Sequence, residues 1–263
     1  MPKLRYLKVR FSNELKPWEM PCFRAAVIEA TRRQFTLFHN HRGDAGFLYR
    51  YPKIQYKLTQ RKASIICLGE GTDDIHYLLA NRSLRLRIGE REEDFAIEDV
   101  QLKYHQLQTW QGWFNYSVKN WQALNQENFK RYSALQGAAE RIQFLEKMLL
   151  GNLLAFAKTM DVDKTERPIE VQITKMKGEK WLKYKGRRVL TFDLNCKANV
   201  SLPDHIGLGK GVSVGFGNVK RFGKPQSEMD RDPLDRGKDM KRRSAQIGNR
   251  KYEIGSNGQE QGH

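Results

Sequence analysis

Residues 207–217 read Gly-Leu-Gly-Lys-Gly-Val-Ser-Val-Gly-Phe-Gly. Two Gly-apolar-Gly clasps, Gly207/Gly209 and Gly215/Gly217, flank a five-residue interval that contains Lys210 and Gly211. Glycine permits positive φ and lacks the Cβ that holds another backbone at a distance. Such a run turns tightly. It either aims amide N–H groups at an anion and lets a phosphate approach, or it makes a plain structural turn. Two nucleotide-binding patterns are excluded. A Rossmann fingerprint opens a helix after an early strand, with an acidic residue about 20 positions on. Here the run comes late, and Val212, Val214, Phe216 and Val219 predict strand rather than helix. A Walker loop requires Gly-Lys-Ser/Thr after a four-residue spacer from another glycine, and the run has none.

Charge bears on the partner. The 263 residues carry 47 Lys and Arg against 30 Asp and Glu, a net charge of +17. The stretch from Lys220 onward accounts for only +4, so +13 belongs to residues 1–219. The basicity sits in the body of the chain and points to a polyanion, nucleic acid before a nucleotide cofactor. Hydrophobic residues make up 39%, including 13 Phe, 10 Tyr and 5 Trp, enough for the core of one large or two smaller domains. Cys22, Cys67 and Cys196 are far apart and no CxxC occurs, which argues against a disulfide framework and a zinc ribbon. No apolar run approaches the roughly 20 residues that cross a bilayer, and no signal-peptide core opens the chain. The expected compartment is the cytoplasm, with no membrane partner.

Tyr6-Leu-Lys-Val-Arg-Phe11 alternates as a half-buried strand. Met20 to Gln34 predicts a helix with Phe23, Val27 and Ala30 on its apolar stripe. Residues 47–58 and 63–68 predict two strands. Thr72 or Asp73 can cap a helix running to about Asn81, and Leu84-Arg-Leu-Arg-Ile88 alternates again. The order strand-helix-strand-strand-helix-strand matches a ferredoxin-like unit.

A second half begins after about residue 100. Trp110, Trp113, Phe114, Tyr116 and Trp121 form an aromatic cluster, expected in a core or domain interface rather than as a base-stacking platform. Residues 137–158 give the clearest helix, with Ile142, Leu145, Leu149, Leu153 and Phe156 at helical spacing. Residues 168–200 supply alternating strands, and a last strand follows the glycine run. The predicted fold class is α+β: tandem ferredoxin-like (RRM-like) domains, 1–100 and 101–222, the second irregular, with a C-terminal glycine-rich loop. Residues 223–263 are basic and lack periodicity, which predicts a disordered tail.

The interval Gly207–Gly217, with Ser201-Leu-Pro-Asp-His-Ile206 before it and a basic strand beyond, resembles a known signature. It is similar to the carboxy-terminal motif of the CRISPR-associated endoribonucleases that process repeat RNA, the Cas-six family of the RAMP superfamily. Phe38-His-Asn-His41, followed by Tyr51-Pro-Lys-Ile-Gln-Tyr-Lys57, resembles the active-site region of a branch with paired amino-terminal histidines. The resemblance covers residues 1–222. It implies metal-independent cleavage without a cofactor: a base takes the proton of a ribose 2′-hydroxyl, the oxygen attacks the adjacent phosphorus, and an acid protonates the leaving 5′ oxygen. The products would be a 2′,3′-cyclic phosphate and a 5′-hydroxyl. The implied partner is CRISPR repeat RNA. Other CRISPR effector or adaptation proteins and a homodimer are further partners open to such a chain.

Imidazole has an unperturbed pKa of about 6.5 and exchanges protons at neutral pH, which makes His39 and His41 the catalytic candidates, either one as acid or base. Residues i and i+2 share a side on a strand but not on a helix. Both rings therefore reach one phosphate only if residues 38–42 are extended or loosely turned; otherwise His41 is the stronger candidate. Tyr49, Tyr51 and Lys53 can offer a hydroxyl or a cation to developing charge. A metal-dependent His-Asn-His nuclease is rejected, because that motif disperses its residues and no cluster of carboxylates and cysteines surrounds His39 and His41. His76 and His105 read as structural, and His205 as structural or RNA-contacting. Candidates for phosphate contact are Arg42, Arg50, Lys53, Lys57, Arg61 and Lys62, with Lys210, Lys220, Arg221 and the glycines of the run. The alternative to an enzyme is a non-catalytic RNA-binding subunit of a CRISPR ribonucleoprotein complex.

Overall fold

The computed structural model describes residues 3–31, 51–75, 83–161, 167–184 and 186–223. β1 (Lys3–Glu14) alternates as its sequence predicts. Leu7, Val9 and Phe11 enter one core, while Leu4 and Tyr6 enter another. α1 (Met20–Ala30) has Pro21 in its first turn, where a missing N–H breaks no helical bond. Its buried Met20, Phe23, Ala26 and Val27 recur at helical spacing.

β2 (Ile54–Thr59) and β3 (Lys62–Leu68) form a hairpin whose turn residues, Gln60 and Arg61, both take positive φ. That backbone suits the right-handed twist of a two-residue hairpin. Residues 51–53, predicted as strand, precede β2 without strand pairing. Of the helix predicted over residues 72–81, the described part holds only a 3-10 turn, Gly69–Thr72, and the turn after it. The stretch 76–82 lies outside the described residues.

β4 (Ser83–Ile88) and β5 (Arg91–Gln106) complete an antiparallel sheet of order β2-β3-β1-β5-β4. The place beside β1 therefore belongs to β5, not to residues 84–88 as the predicted order implied. β5 escaped sequence reading because Phe95 is its one fully buried residue. It is held by backbone pairing on both sides, Tyr6 facing Lys103 and Leu84 facing Phe95.

The second sheet joins β6 (Thr109–Trp121), β7 (Val171–Tyr184), β8 (Arg187–Val200) and β9 (Asn218–Arg221) in the order β7-β8-β6-β9. α2 (Gln126–Ala134) and α3 (Ala138–Thr159) connect β6 to β7. Asn125 caps α2, its Oδ1 accepting the Asn128 N–H at 2.7 Å. This is the ferredoxin-like strand order with every pair antiparallel. The second half is thus regular in its sheet. Its irregularity lies in the second crossover, where residues 201–217 stand in place of a helix. The chain folds as tandem ferredoxin-like halves.

Leu145, Leu149, Leu153 and Phe156 of α3 share one core with Phe114, Tyr116 and Trp121 of β6. Leu4, Tyr6, Ile66 and Leu68 of the first sheet enter the same core, so the two halves are packed together rather than tethered. Trp121 is fully buried, and its Nε1–H donates to Asn152 Oδ1 at 2.9 Å. All three cysteines are free thiols, Cys67 and Cys196 buried and Cys22 exposed. No helix among the described residues is long and apolar enough to cross a membrane.

Candidate nucleic-acid interface

The glycine run is seated on β2. The Tyr51 hydroxyl donates to the Gly207 carbonyl at 2.7 Å, and the Gly207 N–H donates to Gln55 Oε1 at 2.9 Å. The Lys57 ammonium donates to the carbonyls of Val212 at 3.0 Å and Phe216 at 3.3 Å. Tyr56, between them on the strand, points the other way and meets Phe23 of α1 edge-on. β2 is therefore covered on both faces although it is the edge strand of its sheet.

These contacts correct the reading of Lys57 as a phosphate contact. Its side chain is 1% exposed, and its ammonium faces loop carbonyls instead of solvent. Burial pushes its pKa down to about 7. Burial likewise pushes the Tyr51 hydroxyl well above its ordinary range, so it serves as a donor to Gly207 and not as a proton carrier.

The run itself is folded back on its own backbone. Gly217 takes φ +62°, and a Cβ there would stand 1.8 Å from the Leu208 carbonyl oxygen. A Cβ on Gly207 would meet Val212 Cγ1 at 2.6 Å, and one on Gly209 would meet the Gln122 carbonyl at 2.7 Å. The residues Val212–Val214 form a 3-10 turn bounded by left-handed Gly211 and Gly215, which corrects the strand predicted there. Amides of Gly207, Leu208, Lys210, Val214, Gly215, Phe216 and Gly217 all donate to protein acceptors. The run does not aim these amides at a phosphate. Its glycines permit close self-packing.

The cations expected near the run divide into two groups. Lys210 and Lys220 are exposed and enter no ion pair among the described residues. The guanidinium of Arg221 lies 4.3 Å from the centre of the Phe114 ring, and its backbone N–H donates to Asp204 Oδ1 at 2.7 Å. By contrast, Lys53 pairs with Glu70 at 2.8 Å, Arg61 with Glu14 at 3.3 Å and Lys62 with Glu98 at 2.6 Å. His39, His41, Arg42, Tyr49 and Arg50, together with His76, lie outside the described residues.

One cluster was not legible in the sequence. A cleft of about 250 Å³ opens between β1, β5 and the segment before the glycine run, bringing Lys8, Lys103, His105, His205 and Arg221 together with Asp204. Asp204 is the one acid among its described lining residues. His105 Nε2 contacts the Ser201 carbonyl at 3.1 Å. His205 takes φ +66°, and burial holds its imidazole below the ordinary range, with Lys8 and Lys220 adding to the effect against Asp204. His105 and His205 are 100 positions apart, so only strand pairing could reveal that they face one cleft.

Residues 2–106 match the family model of the Cas6b N-terminal domain, and residues 108–222 match that of the Cas6b C-terminal domain. A crystal structure of Cas6b is similar at a TM-score of 0.75 and 27% identity, covering 84% of this chain and 100% of that one. A second crystal structure, of the CRISPR RNA processing endoribonuclease Cas6b, is similar in fold at a TM-score of 0.64 and 24% identity, with 84% and 100% covered. An uncharacterized protein of Methanocaldococcus jannaschii is 29% identical over 130 residues, which are 49% of this chain and 78% of that protein. With both of its halves matched in sequence, the chain belongs to the Cas6b family.

Proposed function

We propose that this chain is an endoribonuclease that cuts CRISPR precursor RNA within its repeats, by 2′-hydroxyl attack without a metal ion. The observation that carries the reading is the seating of residues 51–57 on the glycine run. That segment begins ten residues after His41 in sequence, and the run it seats is the motif that the family resemblance assigns to RNA.

One of His39 and His41 takes the proton of the 2′-hydroxyl as its oxygen bonds to phosphorus. The other gives a proton to the 5′ oxygen as the P–O bond breaks, leaving a 2′,3′-cyclic phosphate and a 5′-hydroxyl. Positioned acid-base groups typically contribute ~10²–10⁴-fold. Tyr49 and Lys53 are assigned to the charge that develops on the phosphate oxygens, and Lys53 must leave Glu70 to do so. Exposed Lys210 and Lys220, with Arg221, neutralise phosphates of the bound strand.

The test is cleavage of labelled repeat RNA in EDTA, with wild type beside His39→Ala/His41→Ala. Cutting by wild type, lost in the double variant while RNA binding persists, supports the proposal. Tight binding with no cutting by wild type contradicts it in favour of a binding subunit, and cutting only with added magnesium contradicts the mechanism.

A further inference from the structure

The cleft that holds His105 and His205 is not the largest concavity near the glycine run. A second cavity, of about 490 Å³, lies between the 3-10 turn Pro17–Glu19 ahead of α1, the end of β7, and the turn Val212–Val214. It shares no lining residue with the first. Its size falls within the range of small-ligand sites, roughly 300–1,000 Å³.

The side chains around it have a consistent chemistry. Trp18 is 70% exposed, an unusual state for the largest apolar side chain. Lys16 Nζ stands 5.3 Å from the centre of its ring. Across the cavity, Tyr184 and Phe216 pack edge to face with centroids 5.3 Å apart. Lys57, Lys119, Asn120, Lys183 and Asn218 supply the rest of the polar lining, and none of its described residues is acidic. Flat aromatic faces beside cations, with no acid in the lining, fit one ligand class closely: a base, with the phosphates on either side of it. Every nucleobase has a π-face to stack, so aromatic platforms beside a basic groove accept single strands with little sequence preference. A protein segment would find cations and no acid in this lining, and a helical duplex would offer no free base to the rings.

We infer that this cavity is a subsite for one unpaired nucleotide of the RNA, its base stacked on Trp18 and against the Tyr184–Phe216 pair, with Lys119 and Lys183 on the flanking phosphates. The subsite rests on the endoribonuclease reading for its ligand. It extends that reading to the side of the glycine run formed by Val214, Gly215 and Phe216, away from the two-histidine cleft.

The test uses fluorescein-labelled single-stranded rA12 and rU12 and the full chain as Trp18→Ala, Trp18→Phe and wild type. Stacking on one base is worth about tenfold in affinity. Trp18→Ala should therefore bind about tenfold more weakly with an unchanged salt slope, because no phosphate contact is lost, and Trp18→Phe should keep most of the affinity. Photocrosslinking of rU12 carrying 4-thiouridine should label the peptides containing Trp18 or Tyr184. Unchanged affinity in Trp18→Ala, or crosslinks confined to other peptides, overturns the subsite while wild-type RNA cleavage leaves the endoribonuclease reading standing. A wild-type chain that binds no RNA overturns both.

Discussion

Lys57 and Val212 are 155 positions apart, yet the ammonium of the first donates to the carbonyl of the second at 3.0 Å inside the protein. The same ammonium reaches Phe216, so one lysine of the first sheet fastens the crossover of the second. This bond joins the edge strand of the first sheet to the glycine run of the second half.

Lys57→Met removes the donor and leaves two buried carbonyls without it, a loss of ~1–3 kcal/mol in a setting free of charge effects. Charge changes the outcome with pH. Burial lowers the folded-state pKa from the ordinary 10.5 to about 7, so between these values the unfolded chain binds more protons than the folded one. Stability then rises with pH. The contribution of Lys57 is complete above 10.5 and is progressively lost as pH falls through about 7. Urea unfolding should show wild type gaining on Lys57→Met between pH 7 and pH 10, by a margin that closes again on acidification. A pH-independent difference would show that Lys57 is solvated.

Two glycines with nearly the same φ separate conformational need from packing need. Gly89 has φ +66° and open space around the position of a Cβ; Gly217 has φ +62° and the Leu208 carbonyl 1.8 Å from that position. Gly89→Ala should cost about 1–2 kcal/mol, the left-handed penalty alone. Gly217→Ala adds an overlap with backbone that cannot swing aside and should cost more than ~3 kcal/mol, since overpacking of a closed site carries its own strain. Melting temperatures of the two variants check the difference.

The two groups of cations predict different salt behaviour. Lys210→Ala/Lys220→Ala removes exposed lysines that enter no ion pair among the described residues. It should lower the slope of log K against log salt by about 0.7 for each phosphate released from a single strand. Arg61→Ala/Lys62→Ala removes cations already paired with Glu14 and Glu98, and should change the slope less. Fluorescence anisotropy of labelled RNA across a salt series reads both.

The sequence revealed the elements whose burial is one-sided. Leu145, Leu149, Leu153 and Phe156 mark α3 because one stripe of it is buried, and Leu84, Leu86 and Ile88 mark β4 by strict alternation. β5 was missed because its charges lie on both faces and its place is set by hydrogen bonds to β1 and β4. Val212, Val214 and Phe216 mimic a strand by their spacing, but left-handed glycines on both sides close them into a turn. Lys57 sits in a basic stretch that predicts solvent, and nothing local reveals that the glycine run will cover it from 155 positions away. The glycine motif was legible as a tight turn; its role as a self-packed replacement for a helix was not, because that depends on the order of the second sheet.

The most direct test is the product of a single reaction: repeat RNA incubated with the chain in EDTA, its fragments resolved and their ends analysed. A 2′,3′-cyclic phosphate upstream and a 5′-hydroxyl downstream, both lost in His39→Ala/His41→Ala while the RNA stays bound, are the predicted result. Intact RNA on the wild-type chain, or a cut that appears only with magnesium, would contradict it.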